Sequence, residues 1–306
     1  MSGFFEKLAA AAGNTPVLCG EELKTYTTFR IGGPARYFLS PEEGETAVNV
    51  IRLCREEHVP YAVIGRGSNL LVSDEGYDGV IIHFGEKYSA ITRTMTPDGQ
   101  FAYRVQAGAL LSQIARQALL DSRTGFEFAA GIPGTIGGGA IMNAGAYGGE
   151  LADVLLEATV LTPEGNIRVL SREEMELGYR TSRMAREGDI VLSALIALPE
   201  GNPEEIRGRM DELAAKRREK QPLEYPSAGS TFKRPAGYFA GKLIEDAGLK
   251  GYRVGDAQVS EKHAGFVINR GEASALDVLR LCREVEQKVE EMSGVRLEME
   301  IRLLGF

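Results

Sequence analysis

The chain has 306 residues, of which 43% are hydrophobic and 25% charged, and a net charge of −8 at pH 7. This is the composition of a globular protein long enough for two or three domains, and the acidic balance argues against a broad surface for nucleic acid while leaving room for a local basic pocket. No apolar run is long enough for a membrane span, and Cys19, Cys54 and Cys282 have neither zinc-site spacing nor the even number of a disulfide framework, so a reducing cytoplasm is expected.

In chain order, the segment from Met1 to Gly13 has an early acid and no basic stretch, which reads as a starting helix rather than a signal peptide. Lys24 to Phe38 gathers β-branched and aromatic residues around Gly32-Gly33-Pro34 and predicts extended chain with a turn. Ala47, Val48, Ile51 and Cys54 at helical spacing predict a helix over Glu45 to His58, stopped by Pro60. Tyr61 to Ile64 follows as a short buried strand running into Gly65-Arg66-Gly67-Ser68-Asn69. That turn offers bare amides, a hydroxyl and a carboxamide, donors suited to a pyrophosphate at a strand end. A tight loop without a ligand explains it equally well.

Val80 to Phe84, Phe101 to Gln106 and Val154 to Leu161 read as strands, with a turn at Pro97-Asp98-Gly99. Leu111, Ile114, Ala115, Ala118 and Leu119 share one face of a helix over Leu110 to Leu120. The segment from Gly131 to Gly149 then carries glycine at 131, 134, 137, 138, 139, 145, 148 and 149. Glycine loses the most freedom on folding, so a bound ligand lying on exposed amides is the expected compensation. Ile132, Ile136, Ile141 and Met142 set the segment apart from a polar linker. It has neither a P-loop lysine nor the dinucleotide fingerprint of a long helix.

Thr162 to Asn166 predicts a hairpin turn, and Ser171-Arg172-Glu173-Glu174 a capping box opening a short helix that Gly178 ends. Tyr179 and Arg180 then lie on a loop before a strand over Ile190 to Leu198. Asn202-Pro203-Glu204-Glu205 opens the next helix, which closes in Lys216, Arg217, Arg218 and Lys220 before Pro222, and a domain boundary is expected near residue 199. Cations at a helix end explain Lys216 and Arg217. Lys220, Lys233 and Arg234 bracket Ser227 to Thr231, where a diphosphate or carboxylate would use them. Ser274 to Ser293 predicts a final helix with Leu279, Cys282, Val285, Val289 and Met292 inward, and Leu297 to Leu303 an alternating strand with Glu298, Glu300 and Arg302 on one face. From that alternation alone Glu300 reads as part of a solvated face. His58, His83 and His263 are too scattered for a metal centre, so none is expected.

Thr27 to Ala35, Gly65 to Asn69, Gly131 to Glu150, Gly178-Tyr179-Arg180, Ala228-Gly229-Ser230-Thr231-Phe232-Lys233 and Leu297 to Arg302 occur in this order over nearly the whole chain. Together they resemble the UDP-N-acetylenolpyruvoylglucosamine reductase family. The resemblance implies an α+β chain: a two-part FAD-binding unit of the vanillyl-alcohol-oxidase/CO-dehydrogenase-flavoprotein type over residues 1–88 and 89–198, and a substrate-binding α+β domain over 199–306. It implies FAD and NADPH as cofactors, UDP-N-acetylenolpyruvoylglucosamine as substrate, and a monomer. NADPH gives hydride to the flavin, and the reduced flavin gives it to the enolpyruvyl C3.

By the same resemblance Ser230 is the proton donor to C2, and Arg180 and Glu300 stabilise the enol-like intermediate. The cofactor contacts it implies are Arg30, Ile64, Gly65, Arg66, Gly67, Ser68, Asn69, Leu70, Gly131, Pro133, Gly134, Thr135, Gly137, Gly138, Asn143, Ala144, Gly145 and Ala146. Substrate contacts are Tyr147, Tyr179, Lys220, Lys233 and Lys262. Arg66 stands where many members carry Asn, Arg234 where some do, and the chain lacks the Tyr-bearing insertion that one subtype has after Tyr179-Arg180. Another FAD-dependent oxidase or dehydrogenase of the superfamily, or a non-catalytic sugar-nucleotide sensor, are the rival readings.

Overall fold

Short apolar runs separated by glycine and proline become short elements, and the computed structural model describes residues 2–306. From the N-terminus come α1 (Ser2–Ala12), β1 (Leu18–Glu22), β2 (Pro34–Leu39), α2 (Gly44–Glu56), β3 (Tyr61–Ile64), β4 (Leu70–Val72) and β5 (Tyr77–His83). Next are β6 (Ile91–Met95), β7 (Phe101–Gln106), α3 (Leu111–Leu120), α4 (Ile136–Met142), β8 (Gly145–Ala146), β9 (Gly149–Glu150), β10 (Leu155–Leu161), β11 (Ile167–Ser171), α5 (Arg183–Glu187) and β12 (Ile190–Ala197). The chain closes with α6 (Pro203–Lys220), β13 (Ser227–Ser230), α7 (Ala240–Asp246), β14 (Arg253–Val254), β15 (Ala257–Val259), β16 (Phe266–Asn269), α8 (Ala275–Ser293) and β17 (Arg302–Leu304). The class is α+β.

The chain forms two units. The first takes the residues up to Leu18, Phe38–Arg66 and Val80–Lys216; the second takes Cys19–Tyr37, Gly67–Gly79 and Arg217–Phe306. In the first, an antiparallel sheet of order β11-β10-β12-β7-β6 is covered by an apolar core that includes Tyr103, Ile114, Phe126, Ile136, Leu155 and Ile196. β3 lies parallel to β5, from Tyr61 opposite Val80 to Ile64 opposite His83, so Gly65 leaves the carboxyl end of a parallel strand. α2 ends where His58 turns left-handed and the Val59 N–H donates to the Cys54 carbonyl at 2.8 Å, directly before Pro60.

In the second unit, an antiparallel sheet of order β13-β16-β15-β14 packs with α7 and α8 around Leu243, Ile244, Val278, Leu281, Val285 and Val289. Ser274 Oγ accepts the Asp277 N–H at 3.0 Å at the start of α8, and Gly294 in the left-handed conformation stops it. The first free amides of this helix also donate to Asp74, at 2.8 Å from Ala275 and 3.3 Å from Leu276. β17 pairs in parallel with β4, Arg302 opposite Leu70.

Several expectations are corrected. The reciprocal bonds between Ser171 and Glu174 form, at 2.9 and 3.3 Å, yet no helix follows: Glu176 turns left-handed two residues on, which ends the coil after a single turn. Leu297 to Ile301 keeps its alternation without a regular ladder, and only Arg302–Leu304 is strand. Leu23–Tyr26 is a 3-10 turn rather than extended chain. In β3 only Ile64 is buried. On α8 the inward face is Val278, Leu281, Cys282, Val285 and Val289, with Leu279 at its margin and Met292 exposed, because the buried stripe follows the 3.6-residue period back toward the N-terminus.

Candidate functional site

The glycine-rich segment from Gly131 to Gly149 folds in the first unit as a packed turn, a short helix and a hairpin. Its amides are largely used within the protein: Ile132 donates to the Ala129 carbonyl, Gly134 to Ile132, Ile136 to Ala109 and Gly137 to Ala107, at 2.8–3.0 Å. A Cβ on Gly137 would lie 2.8 Å from Ala107 Cβ, and one on Gly139 would lie 2.9 Å from Leu151 Cδ1. Internal packing therefore offsets much of the ordering cost that the sequence alone assigned to a ligand. Gly138 differs. It is exposed, and a Cβ there would meet only Thr135 Oγ1, at an unstrained 3.7 Å, so packing within the protein does not require glycine at this position. Gly131 and Pro133 are also exposed and Gly134 is half-buried.

The two glycine loops meet. Thr135, 4% exposed, begins α4 without capping it through its side chain, and its Oγ1 would lie 2.4 Å from a Cβ on Gly65. Ile64 is buried at the end of β3, and Arg66 emerges exposed just past Gly65. Behind this turn, His83 shares a hydrogen bond between Nδ1 and Ser40 Oγ at 3.0 Å, and burial, then the Arg66 charge, push its pKa down to about 4. Because the folded state favours the neutral ring, its contribution is complete above the ordinary value of 6.5 and is lost as pH falls from there through 4. Denaturant unfolding is expected to show about 3 kcal/mol less stability below pH 4 from this group, a loss that His83→Gln removes.

Asn143 ends α4 in the left-handed conformation and is fully buried. Its Oδ1 accepts the Ala152 N–H at 2.9 Å, and its Nδ2 donates to the Gly178 carbonyl at 3.2 Å. One side chain thus ties the glycine-rich segment to the turn that carries Tyr179 and Arg180. That turn is closed by reciprocal bonds between Gly178 and Thr181, and Arg180 has φ +55. Arg180 Nη2 donates to the Gly145 carbonyl at 3.4 Å, and its guanidinium lies 5.2 Å from the Tyr179 ring centroid. Ala144 donates to Gly139 at 2.9 Å, and Gly145 and Ala146 form the first arm of the β8–β9 hairpin. Tyr147 and Gly148 occupy its tip with φ +54 and +89, the primed geometry that suits a two-residue hairpin. A left-handed tyrosine or arginine stores backbone strain, and such residues concentrate at ligand sites.

The second unit assembles the other candidates. β13 ends in exposed Ser230, and Thr231, fully buried, turns inward to accept the Val267 N–H on its Oγ1 at 2.9 Å. The Thr231 carbonyl accepts the Glu300 N–H at 2.8 Å, Phe232 bridges Met299, and Lys233 donates its amide to the Glu298 carbonyl at 2.8 Å. Ser230 therefore directly precedes the residue whose carbonyl holds half-buried Glu300. Asn69 joins them, its Nδ2 donating to the Glu300 carbonyl at 3.1 Å while its own carbonyl accepts the Arg302 N–H at 3.0 Å. Leu70 starts β4 beyond it. Gly67, with φ +62, sits where a Cβ would lie 2.2 Å from the Tyr26 carbonyl oxygen, and its carbonyl accepts the Thr28 N–H at 3.4 Å. Arg30, at φ +56, closes the next turn, and Ser68 lies half-buried between Gly67 and Asn69.

The three candidate lysines are placed differently. Lys233 pairs with the Glu298 carboxylate, so an anion would have to compete for it. Lys262 Nζ donates to the Arg218 carbonyl at 2.7 Å, at the same end of α6 as Lys220, its last residue. The positioning role of Thr231 went unread in the sequence. Cys54 and Cys282 are buried, which pushes both thiols up to about 12 and keeps them from acting as nucleophiles. Among the described residues no helix is long and apolar enough to cross a membrane.

Residues 35–171 match the family model of the FAD binding domain, and residues 221–304 match that of the C-terminal domain of UDP-N-acetylenolpyruvoylglucosamine reductase. The chain is 51% identical over 296 residues to the UDP-N-acetylenolpyruvoylglucosamine reductase of Agathobacter rectalis, covering 94% of each. It is 46% identical to that of Clostridium perfringens strain 13, covering 99% of this chain and 97% of the relative. The crystal structure of the Thermus caldophilus reductase superposes with a TM-score of 0.77 at 38% identity, over 95% of this chain and 99% of the other. Identity of this level along nearly the full length, with both domain types in the expected order, means that the chain belongs to the UDP-N-acetylenolpyruvoylglucosamine reductase family.

Proposed function

We infer that the protein binds FAD and uses NADPH to reduce the enolpyruvyl group of UDP-N-acetylenolpyruvoylglucosamine to UDP-N-acetylmuramate for peptidoglycan synthesis, as a monomer in the cytoplasm. The observation that carries this reading is the run of Ser230 and Thr231 alongside Glu300 and Asn69, within a chain whose relatives bear that reductase name over their whole length. In this reading residues 1–88 and 89–198 hold the flavin and 199–306 receive the sugar nucleotide.

The chain's residues fit FAD. Exposed Gly138, where an added Cβ would only touch Thr135 Oγ1, offers bare backbone to the dinucleotide, beside Thr135, Gly65 and Arg66. Gly131, Pro133, Gly134, Gly137 and Ala144 to Ala146 would line the same loop, Asn143 would hold its shape, and Ile64, Gly67 to Leu70 and Arg30 would complete the contacts. When bound, FAD supplies the hydride that it takes from NADPH.

The remaining chemistry belongs to side chains. Hydride arriving at C3 drives negative charge from C2 toward the substrate carboxylate, and the fixed guanidinium of Arg180 stabilises that charge more in the transition state than in the ground state. Ser230 Oγ–H donates its proton to C2. A serine is a weak acid, so proximity to the carbanion-like carbon must compensate for its pKa. Its exposed position leaves it open to substrate and lets water restore the proton afterwards. Glu300 organises the intermediate by hydrogen bonding, while Lys220 and Lys262 hold the diphosphate, with Lys233, Tyr147 and Tyr179 completing the substrate contacts.

An absorption spectrum tests this directly. The purified protein is expected to show the visible bands of bound flavin, to lose them on anaerobic addition of NADPH, and to regain them on addition of UDP-N-acetylenolpyruvoylglucosamine. NADPH oxidation indifferent to that substrate would point instead to another flavin oxidase or dehydrogenase.

A further inference from the structure

Arg180 keeps φ +55 on a turn closed by reciprocal bonds between Gly178 and Thr181, at 3.0 and 3.3 Å. A residue with a side chain persists in that conformation when the structure on either side over-determines it. In the first unit both sides are held, and both holds end on the last residues of α4. Before the turn, Asn143 donates from Nδ2 to the Gly178 carbonyl at 3.2 Å. After it, Ser182, fully buried, donates from Oγ to the Ile141 carbonyl at 2.8 Å. Tyr179, Arg180 and Thr181 lie between the two holds. The guanidinium takes a further reference from the same stretch, since Nη2 donates to the Gly145 carbonyl at 3.4 Å.

Ser182 does more than capping a helix requires. With φ −153 and ψ 166 it stands at the start of α5, where its Oγ accepts the Ala185 N–H at 3.0 Å. That uses the acceptor side of the hydroxyl. Its one proton goes to a carbonyl 41 residues earlier in the chain, at the end of α4, where the helix itself supplies no partner. Removing the hydroxyl takes that partner from Ile141 and frees the turn from α4. The helix α5 stays anchored without it: Met184 is fully buried in the core, and the Arg183 amide donates to the Met175 carbonyl at 2.8 Å. The loss therefore falls on the turn that carries Arg180.

We propose that Ser182 is a positioning residue for the reaction, which, through Ile141, fixes the turn that aims the Arg180 guanidinium. The inference rests on the role given to Arg180 above. Being fully buried, Ser182 touches neither substrate nor flavin and acts through its neighbour. A guanidinium that meets charge developing at a carboxylate works only when aimed, and a displacement of about 1 Å can cost about 10²-fold in rate.

The test is anaerobic stopped-flow recording of flavin absorbance in flavin-loaded variants, with circular dichroism as the check of folding. Ser182→Ala and Ser182→Gly are both expected to reduce flavin with NADPH at the unmodified rate. Both should reoxidise it with UDP-N-acetylenolpyruvoylglucosamine about tenfold more slowly, kcat falling while KM stays within about twofold. In an Arg180→Ala background, Ser182→Ala is expected to slow reoxidation no further. Glycine caps a helix nearly as well as serine, so a Ser182→Gly variant as fast as the unmodified protein would leave a capping role alone and overturn the proposal. Equal slowing of both half-reactions, or a slowing that multiplies with that of Arg180→Ala, would overturn it too. Reoxidation of Arg180→Ala at the unmodified rate would instead remove the role of Arg180, and this inference with it.

Discussion

Ser230→Ala is expected to leave flavin reduction by NADPH nearly unchanged and to slow flavin reoxidation by UDP-N-acetylenolpyruvoylglucosamine about 10³-fold, the scale of a lost general acid. Stopped-flow recording of flavin absorbance separates the two half-reactions. The variant should fold, because Ser230 is exposed at the end of β13 and the neighbouring backbone is anchored by Thr231, whose hydroxyl and carbonyl hold Val267 and Glu300. Equal slowing of both half-reactions would refute proton donation by Ser230. Such an outcome would mean that the hydroxyl serves the shape of the site rather than delivery of a proton to C2.

Gly67→Ala is expected to release FAD and to destabilise the fold by about 2 kcal/mol or more, since a left-handed residue with a Cβ costs about 1–2 kcal/mol before any clash. Here the clash is with backbone: the added Cβ would lie 2.2 Å from the Tyr26 carbonyl oxygen, so the turn must move and carry Ser68 and Asn69 with it. Asn69 in turn bonds to the Glu300 carbonyl, which couples the displacement to the second half-reaction as well. Flavin fluorescence in the filtrate of the purified variant, with thermal unfolding beside it, measures both effects. Full flavin retention at unchanged stability would contradict the proposed close packing of this turn.

Much of the local structure was legible. The spacing of Ala47, Val48, Ile51 and Cys54 gave α2, Ser274 and Gly294 marked the ends of α8, and Pro203 marked the start of α6. Other patterns were read correctly as chemistry and incorrectly as structure. Ser171 and Glu174 form their reciprocal bonds, but Glu176 turns left-handed and no helix grows from them. The glycines of residues 131–149 were legible as special, yet Gly137 and Gly139 are small because Ala107 and Leu151 press against them, whereas Gly138 and Gly148 have open faces. Nothing in the alternation of Leu297 to Leu303 singled out Glu300. Its standing came from the resemblance, and its neighbours from the fold.

The sequence by itself determined several elements and their ends, α2, the start of α6 and both ends of α8 among them, and, through motifs in order, the family. These depend on interactions between residues a few positions apart, where spacing, caps and glycine leave a direct trace. Tertiary structure alone decided that Leu70 lies beside Arg302, that Thr231 holds Glu300, that Gly65 meets Thr135, and that Asn143 ties Gly178 to Ala152. Contacts across such separations form only once the cores of the two units have offset the entropy of closing the intervening chain, and that balance is a property of the whole fold rather than of any short stretch.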